Sequence, residues 1–215
     1  MRSNSRAQTE PESSYQRLFL IRHGAVNTIS PSTLYGHTDV DLSELGHQQA
    51  KWLAKQLSGA PLSAIYSSDL KRSLDTAMPI AKAHELEITQ LEDLREINMG
   101  RWEGRSLAEL FAENQELVSK LIENPMAFCY PGGESFVSFE NRVQSALSRI
   151  RKLHPNGTFA IVTHGGACRM IIAHVLDLSP QNWLRIAQDC GCINVIDWHS
   201  DSPTVVKINH TEALL

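Results

Sequence analysis

Long apolar runs are missing from this 215-residue sequence: the longest is the five residues at 126–130, followed by the four at 18–21, 159–162 and 170–173. A spanning helix needs about 20, which excludes a helical membrane anchor and a membrane partner. Cysteine is scarce as well. Cys129, Cys168, Cys190 and Cys192 are too few and too scattered for a disulfide framework. The Cys190-x-Cys192 pair reads as two small buried residues at the start of a strand rather than as metal ligands. There is no excess of positive charge: 20 Lys and Arg face 24 Asp and Glu, for a net charge of -4. That balance argues against nucleic acid as the main partner. Residues 1–14 lack the apolar core that a secretory signal requires and are expected to form a disordered polar tail on a cytoplasmic protein. No Gly/Ser-rich linker and no internal repeat divides residues 15–215, which are expected to fold as one domain. What is present suffices for a core. The chain is 42% hydrophobic and 20% charged, and a globule of this size buries roughly 70% of its unfolded surface.

Apolar periodicity alternates between that of strands and that of helices. Residues 17–22, 64–66, 88–91 and 158–163 read as short strands. Ser43 is placed to cap a helix to about Leu57, with Ala50, Leu53, Ala54 and Leu57 on its apolar face. Ser68 is expected to open a second helix bearing Leu70, Leu74, Ala77 and Ala81, in which Pro79 would mark a kink or an early end. Ser106 and Glu109 fit a capping box for one helix reaching Glu123. A further helix is expected from about Ser135 to Lys152, another at 167–176 and a short one after Ser179-Pro180. Residues 193–198 and 204–208 suggest a closing hairpin turning at Asp201-Ser202-Pro203. The expected fold class is therefore α/β: a three-layer sandwich whose mostly parallel sheet carries helices on both faces. In such folds the active site lies beyond the carboxyl ends of the strands, where this chain places Arg22-His23-Gly24 and Thr163-His164-Gly165.

Taken singly, His23, His164, Arg72 or Glu96 is more often a packed or solvated residue than a functional one. Their combination is another matter. Leu20-Ile21-Arg22-His23-Gly24, Tyr66-Ser67-Ser68-Asp69-Leu70-Lys71-Arg72, Leu94-Arg95-Glu96, Pro131-Gly132-Gly133-Glu134-Ser135 and Val162-Thr163-His164-Gly165-Gly166 occur in that order. Together they resemble the histidine phosphatase, or phosphoglycerate mutase-like, superfamily. The resemblance implies a phosphohistidine intermediate on His23, a small phosphomonoester as substrate and no metal or other cofactor. Physical chemistry agrees, because phosphoryl transfer is mainly positioning and charge stabilisation. Arg22 and Arg72 offer planar forks of donors. Gly165 offers a backbone N–H, and His164 a further donor, as an imidazolium. Glu96 fits the general acid that protonates the leaving oxygen and later activates water.

Where the family often has Glu-Thr after the first motif, this chain has Ala25-Val26. Asn27 and Thr28 are the candidates to replace their polar contacts. The resemblance also puts Tyr35 and Gly36 on the substrate side, with His37 as a candidate rim contact. Only 34 residues separate Glu96 from Pro131. So short a connector is expected to leave an open mouth that favours hydrolysis over mutase chemistry. Leu34-Tyr35-Gly36-His37 and Asp189-Cys190-Gly191-Cys192 most resemble the family's α-ribazole phosphatases, which act in cobalamin biosynthesis. Broad-specificity sugar-phosphate phosphatases fit nearly as well. Two rivals come from other classes. A metal-dependent hydrolase would need closely spaced ligands such as H-x-x-x-H, which are missing. A non-catalytic interaction protein on the same fold would be expected to have lost one of Arg22, His23, Arg72, Glu96 or His164.

Overall fold

A computed structural model describes residues 15–28, 32–200 and 202–212. The polar tail expected at residues 1–14 lies outside that range. Six strands form one sheet in the order β3-β2-β4-β1-β5-β6. They are β1 (Gln16–Arg22), β2 (Leu62–Ser67), β3 (Ile88–Gln90), β4 (Thr158–Thr163), β5 (Ile193–His199) and β6 (Ser202–His210). The first four run parallel, and β5 is antiparallel to both β1 and β6. Helices are α1 (Glu44–Leu57), α2 (Lys71–His84), α3 (Leu107–Glu113), α4 (Gln115–Glu123), α5 (Phe136–Leu153) and α6 (Gly165–Val175).

The alternation of side chains along each strand separates two cores. Leu18 and Leu20 of β1 and Phe159 and Ile161 of β4 pack with Val143, Leu147 and Ile150 of α5 and Ile171 of α6. Ile21, Ala160 and Val162 face the other way, onto Leu53 and Leu57 of α1 and Ala77 and Ile80 of α2. This is the expected three-layer α/β architecture. Because β1 and β4 are central and parallel, with partners Ile21–Val162 and Arg22–Thr163, their carboxyl ends open side by side.

Local expectations hold at several helix ends. Ser43 caps α1 by accepting from the Gly46 N–H, and Ser106 with Glu109 forms the capping box of α3. Others need correction. Ser68 does not open α2. The helix begins at Lys71 after an extended Leu70 without a side-chain cap, because the Ser68 backbone and hydroxyl are committed to Val162 and His164. Pro79 lies inside α2 without ending it. Ala77, Ile80 and Ala81 are buried on either side of it, so packing outweighs the missing bond. The helix expected to run to Glu123 is two helices, broken at Asn114 (φ -150°, ψ 81°), whose side chain caps α4 at the Leu117 N–H. In the closing hairpin His199 pairs with Ser202, so Ser202 and Pro203 belong to β6 and not to the turn expected at 201–203. Ser200 takes φ +57°, and residue 201 lies outside the described range. Pro203 is accommodated in β6, an edge strand. Cys192 is buried as expected, but Cys190 is only half-buried and lines a cleft.

Candidate active site

That cleft, of about 410 Å³, opens at the carboxyl ends of β1 and β4. Arg22, His23, Arg72, Glu96 and Gly165 all line it, so five residues spread over 144 positions of chain converge.

His23 leaves the end of β1 with its backbone clamped on both sides. Its N–H donates to the Thr163 carbonyl, and its own carbonyl accepts from Gly191. The ring is buried, and Nδ1 lies 2.8 Å from the Gly24 carbonyl. A carbonyl can only accept, so Nδ1 carries the proton and Nε2 keeps its lone pair. Burial first, then the positive charges of Arg22 and Arg72, hold the His23 pKa well below the ordinary histidine value. The ring is therefore neutral, as a nucleophile must be.

The two arginines are held differently. Arg22 donates through Nη1 to the Gln188 carbonyl, while its Nε–H is buried with no hydrogen-bond partner among the described residues. Arg72 is 1% exposed. It reaches back to the carbonyls of Gly36 (2.7 Å) and Thr38 (2.9 Å), and its Nε donates to His164 Nδ1 at 3.2 Å. Three of its five N–H groups are thereby used. An orphaned buried guanidinium N–H is costly unless an anion meets it.

His164 departs from expectation. Its Nδ1 accepts from Arg72, and its Nε2 lies 2.7 Å from Ser68 Oγ, so the ring is fully engaged and buried behind the cleft. Desolvation, followed by the charge of Arg72, keeps its pKa well below normal, so it is neutral rather than an imidazolium. It stands 5.1 Å from His23, ring centre to ring centre, and fixes the Arg72 guanidinium.

Glu96 is only 9% exposed. One carboxylate oxygen accepts from the Ile97 N–H at 3.0 Å, the other from the Gly166 N–H at 2.8 Å in the first turn of α6. A Cβ at Gly166 would stand 2.2 Å from Glu96 Oε1, so only glycine allows this approach. The segment carrying Glu96 is tied down by Arg142, which donates to the carbonyls of Asp93, Arg95 and Glu96 and pairs with Glu134 at 2.8 Å.

The expected rim is only partly right. Thr28 and Tyr35 line the cleft. Asn27 turns away, its amide donating to the Leu42 carbonyl. Gly36 is buried scaffold, where a Cβ would meet the Ile97 carbonyl at 2.4 Å. The ring of His37 contacts the Glu96 carbonyl at 3.0 Å from behind, and its N–H donates to Glu103. Ala25 and Val26 also line the cleft, and the Ala25 N–H donates to Gln49 Oε1 at 2.7 Å.

Sequence reasoning missed Arg169 and Thr76. Thr76 Oγ1 accepts from the Gly24 N–H at 3.0 Å. Arg169 lines the cleft, with Nε on the Ile186 carbonyl and no hydrogen bond to either Nη among the described residues. Its Nη1 and Arg22 Nε both stand within 3.3 Å of a single point above Gly165. The available signal was spacing: Arg169 lies one helical turn beyond Gly165 on α6.

Three comparisons bear on this geometry. The profile of the histidine phosphatase superfamily (branch 1) matches residues 18–211. Phosphoserine phosphatase 1 of Hydrogenobacter thermophilus is 34% identical over 195 residues, covering 91% of this chain and 92% of that protein. A metal-independent phosphoserine phosphatase of Arabidopsis thaliana is 34% identical over 78% of this chain and 72% of its own. Among solved structures, the α-ribazole phosphatase of Shigella flexneri superposes with a TM-score of 0.83 at 26% identity, covering 90% of this chain and 96% of that one.

Proposed function

The chain belongs to the histidine phosphatase superfamily and is a phosphatase, and on that premise we propose that it hydrolyses its phosphomonoester through a phosphohistidine on His23. The observation that carries this reading is the buried, unpartnered Nε–H of Arg22 beside a neutral His23 whose lone pair is on Nε2. A phosphoryl oxygen satisfies that N–H, with the remaining donors of Arg72 and the Gly165 N–H at the start of α6 around it. His23 Nε2 attacks phosphorus. The N–P bond forms as the ester P–O bond breaks, and Glu96 gives its proton to the departing alkoxide oxygen. The Glu96 carboxylate then takes a proton from the water that attacks the phosphohistidine, releasing phosphate and restoring neutral His23. His164 acts through Arg72, as a positioning residue.

Brief exposure to a ³²P-labelled substrate followed by a quench at alkaline pH, where phosphohistidine survives, is expected to label the peptide containing His23. Label on serine or aspartate, or undiminished turnover by His23→Ala, would overturn the mechanism.

For the natural substrate we propose α-ribazole 5′-phosphate, supported by the likeness to an α-ribazole phosphatase and by Tyr35 on the rim, where a flat base can stack. A second reading, phosphoserine, is favoured by the relatives at 34% identity and by the free Nη groups of Arg169, which suit a carboxylate. The ratio of kcat/KM for the two compounds decides between them. Under the second reading Arg169→Met raises KM for phosphoserine but not for an alkyl phosphate of the same length that lacks the carboxylate.

A further inference from the structure

Arg22 and Arg72 differ in how firmly they are aimed. Three hydrogen bonds hold the Arg72 guanidinium, whereas that of Arg22 has one among the described residues, from Nη1 to the Gln188 carbonyl. The direction of the orphaned Arg22 Nε–H therefore follows the position of that carbonyl. Gln188 lies on the irregular segment 186–192, between a 3₁₀ turn at 180–185 and β5. The same segment grips the site twice more. The Cys192 carbonyl accepts from the Arg22 N–H at 3.2 Å, and the Gly191 N–H donates to the His23 carbonyl at 2.9 Å. With no helix or strand ladder of its own, such a segment is fixed by bonds to side chains.

Those bonds come from β5 and β6. On the inside, the buried amides of Gln188 and Asn194 meet head to head: Gln188 Nε2 donates to Asn194 Oδ1 at 2.9 Å, and Asn194 Nδ2 donates to Gln188 Oε1 at 2.8 Å. On the outside stands Asn209, near the end of the edge strand β6, with φ +51°. Asparagine tolerates that left-handed backbone better than most residues. Its N–H donates to Asn194 Oδ1 at 2.9 Å. Its side chain bonds Asp189 reciprocally: Nδ2 donates to the carboxylate at 2.7 Å, and Oδ1 accepts from the Asp189 N–H at 2.7 Å. Both bonds to Asp189 are exposed, so they add little to stability. What they supply is direction. We propose that Asn209 is a positioning residue for phosphoryl transfer: from the edge strand it clamps Asp189, and so holds the neighbouring Gln188 carbonyl that aims Arg22 at the phosphoryl group. The inference rests on the phosphatase reading of the cleft.

Binding of inorganic phosphate, measured by calorimetry at fixed pH and salt, tests the clamp, with urea unfolding of each variant beside it. Arg22→Met sets the scale and is expected to weaken phosphate about 100-fold. Asn209→Gly keeps the left-handed backbone and loses the side-chain bonds. It is expected to unfold close to the wild type, yet to bind phosphate about 10-fold more weakly. Asn209→Asp sets a second carboxylate against Asp189 and should lose at least as much. Combining Asn209→Asp with Asp189→Asn exchanges donor and acceptor at unchanged net charge, and should return the affinity to within about 2-fold of wild type. A pair that merely stabilised the fold would show no such rescue at constant stability. Unchanged affinity in either single Asn209 variant, a double variant as weak as Asn209→Asp, or losses that track urea stability across the series would overturn the clamp while Arg22→Met still loses phosphate. Equal affinity in wild type and Arg22→Met would instead remove the phosphatase reading, and the clamp with it.

Discussion

At the scale of single residues, Gly166 shows how much depends on one missing methyl group. Its N–H holds Glu96, and its absent Cβ leaves room for the carboxylate oxygen. Gly166→Ala adds no strain to the helix itself, and alanine is the better helix former by up to about 1 kcal/mol. The protein should therefore fold, with Glu96 displaced. Loss of a positioned general acid costs about 10²–10⁴-fold. Turnover of an alkyl phosphate is thus expected to fall about 100-fold, while p-nitrophenyl phosphate, whose leaving group needs no proton, falls less than about 10-fold. Steady-state kinetics on both substrates check this, and equal losses on the two would remove Glu96 from the acid role. The same carboxylate was recognisable from Leu94-Arg95-Glu96 in its place among the ordered motifs. The glycine that admits it was not, because the contact spans 70 residues of chain.

At the scale of elements, the segment bearing Glu96 has almost no regular structure of its own, being short 3₁₀ turns at 92–94 and 100–102. It is held by α5 through Arg142, whose guanidinium satisfies three carbonyls of the segment and the Glu134 carboxylate. Arg142→Met takes this donor from the Asp93 and Arg95 carbonyls and removes the charge paired with the largely buried Glu134 carboxylate. The expected cost is about 3 kcal/mol in denaturant unfolding, with kcat falling more than KM rises. Adding Glu134→Gln should restore part of the stability and little of the activity. Unchanged stability in Arg142→Met would show that the staple is ornamental. In the sequence Arg142 is legible only as part of the block that resembles the family after Pro131–Ser135, and the carbonyls it holds are not legible. The break at Asn114 was hidden for a similar reason: a single side chain–backbone bond splits a continuous helical pattern.

At the scale of the whole molecule, two fully buried neutral histidines tie folding to pH. His23 and His164 both have pKa values well below the unfolded value of about 6.5, because burial and the neighbouring arginines oppose their charging. Below pH 6.5 the unfolded chain binds protons that the folded chain refuses, so stability falls as pH drops through that range. Each histidine contributes a slope approaching about 1.4 kcal/mol per pH unit. His23→Asn is expected to flatten the stability profile between pH 6 and pH 5 by about 1 kcal/mol per unit, measured by urea unfolding at each pH. An unchanged slope would mean that His23 is charged in the folded protein.

The sequence by itself determined the α/β layering and most strand and helix positions, because periodicity is a local property of the chain, and it pointed to Arg22, His23, Arg72 and Glu96 as one site through the resemblance of its ordered motifs. It could not determine which side of each candidate faces the cleft. His37 and Gly36 sit beside Tyr35 in sequence, yet His37 packs against the back of the acid segment and Gly36 supports Arg72. His164 turns both nitrogens to Ser68 and Arg72. The tertiary structure also built a second cavity of about 540 Å³ beside the cleft, largely apolar but sharing Glu96 and Arg169 with it, whose walls come from residues 34, 96–136, 166–169 and 183–184. Hydrogen-bond direction and enclosed volume are settled by contacts between segments far apart in the chain, and no local pattern of residues encodes them.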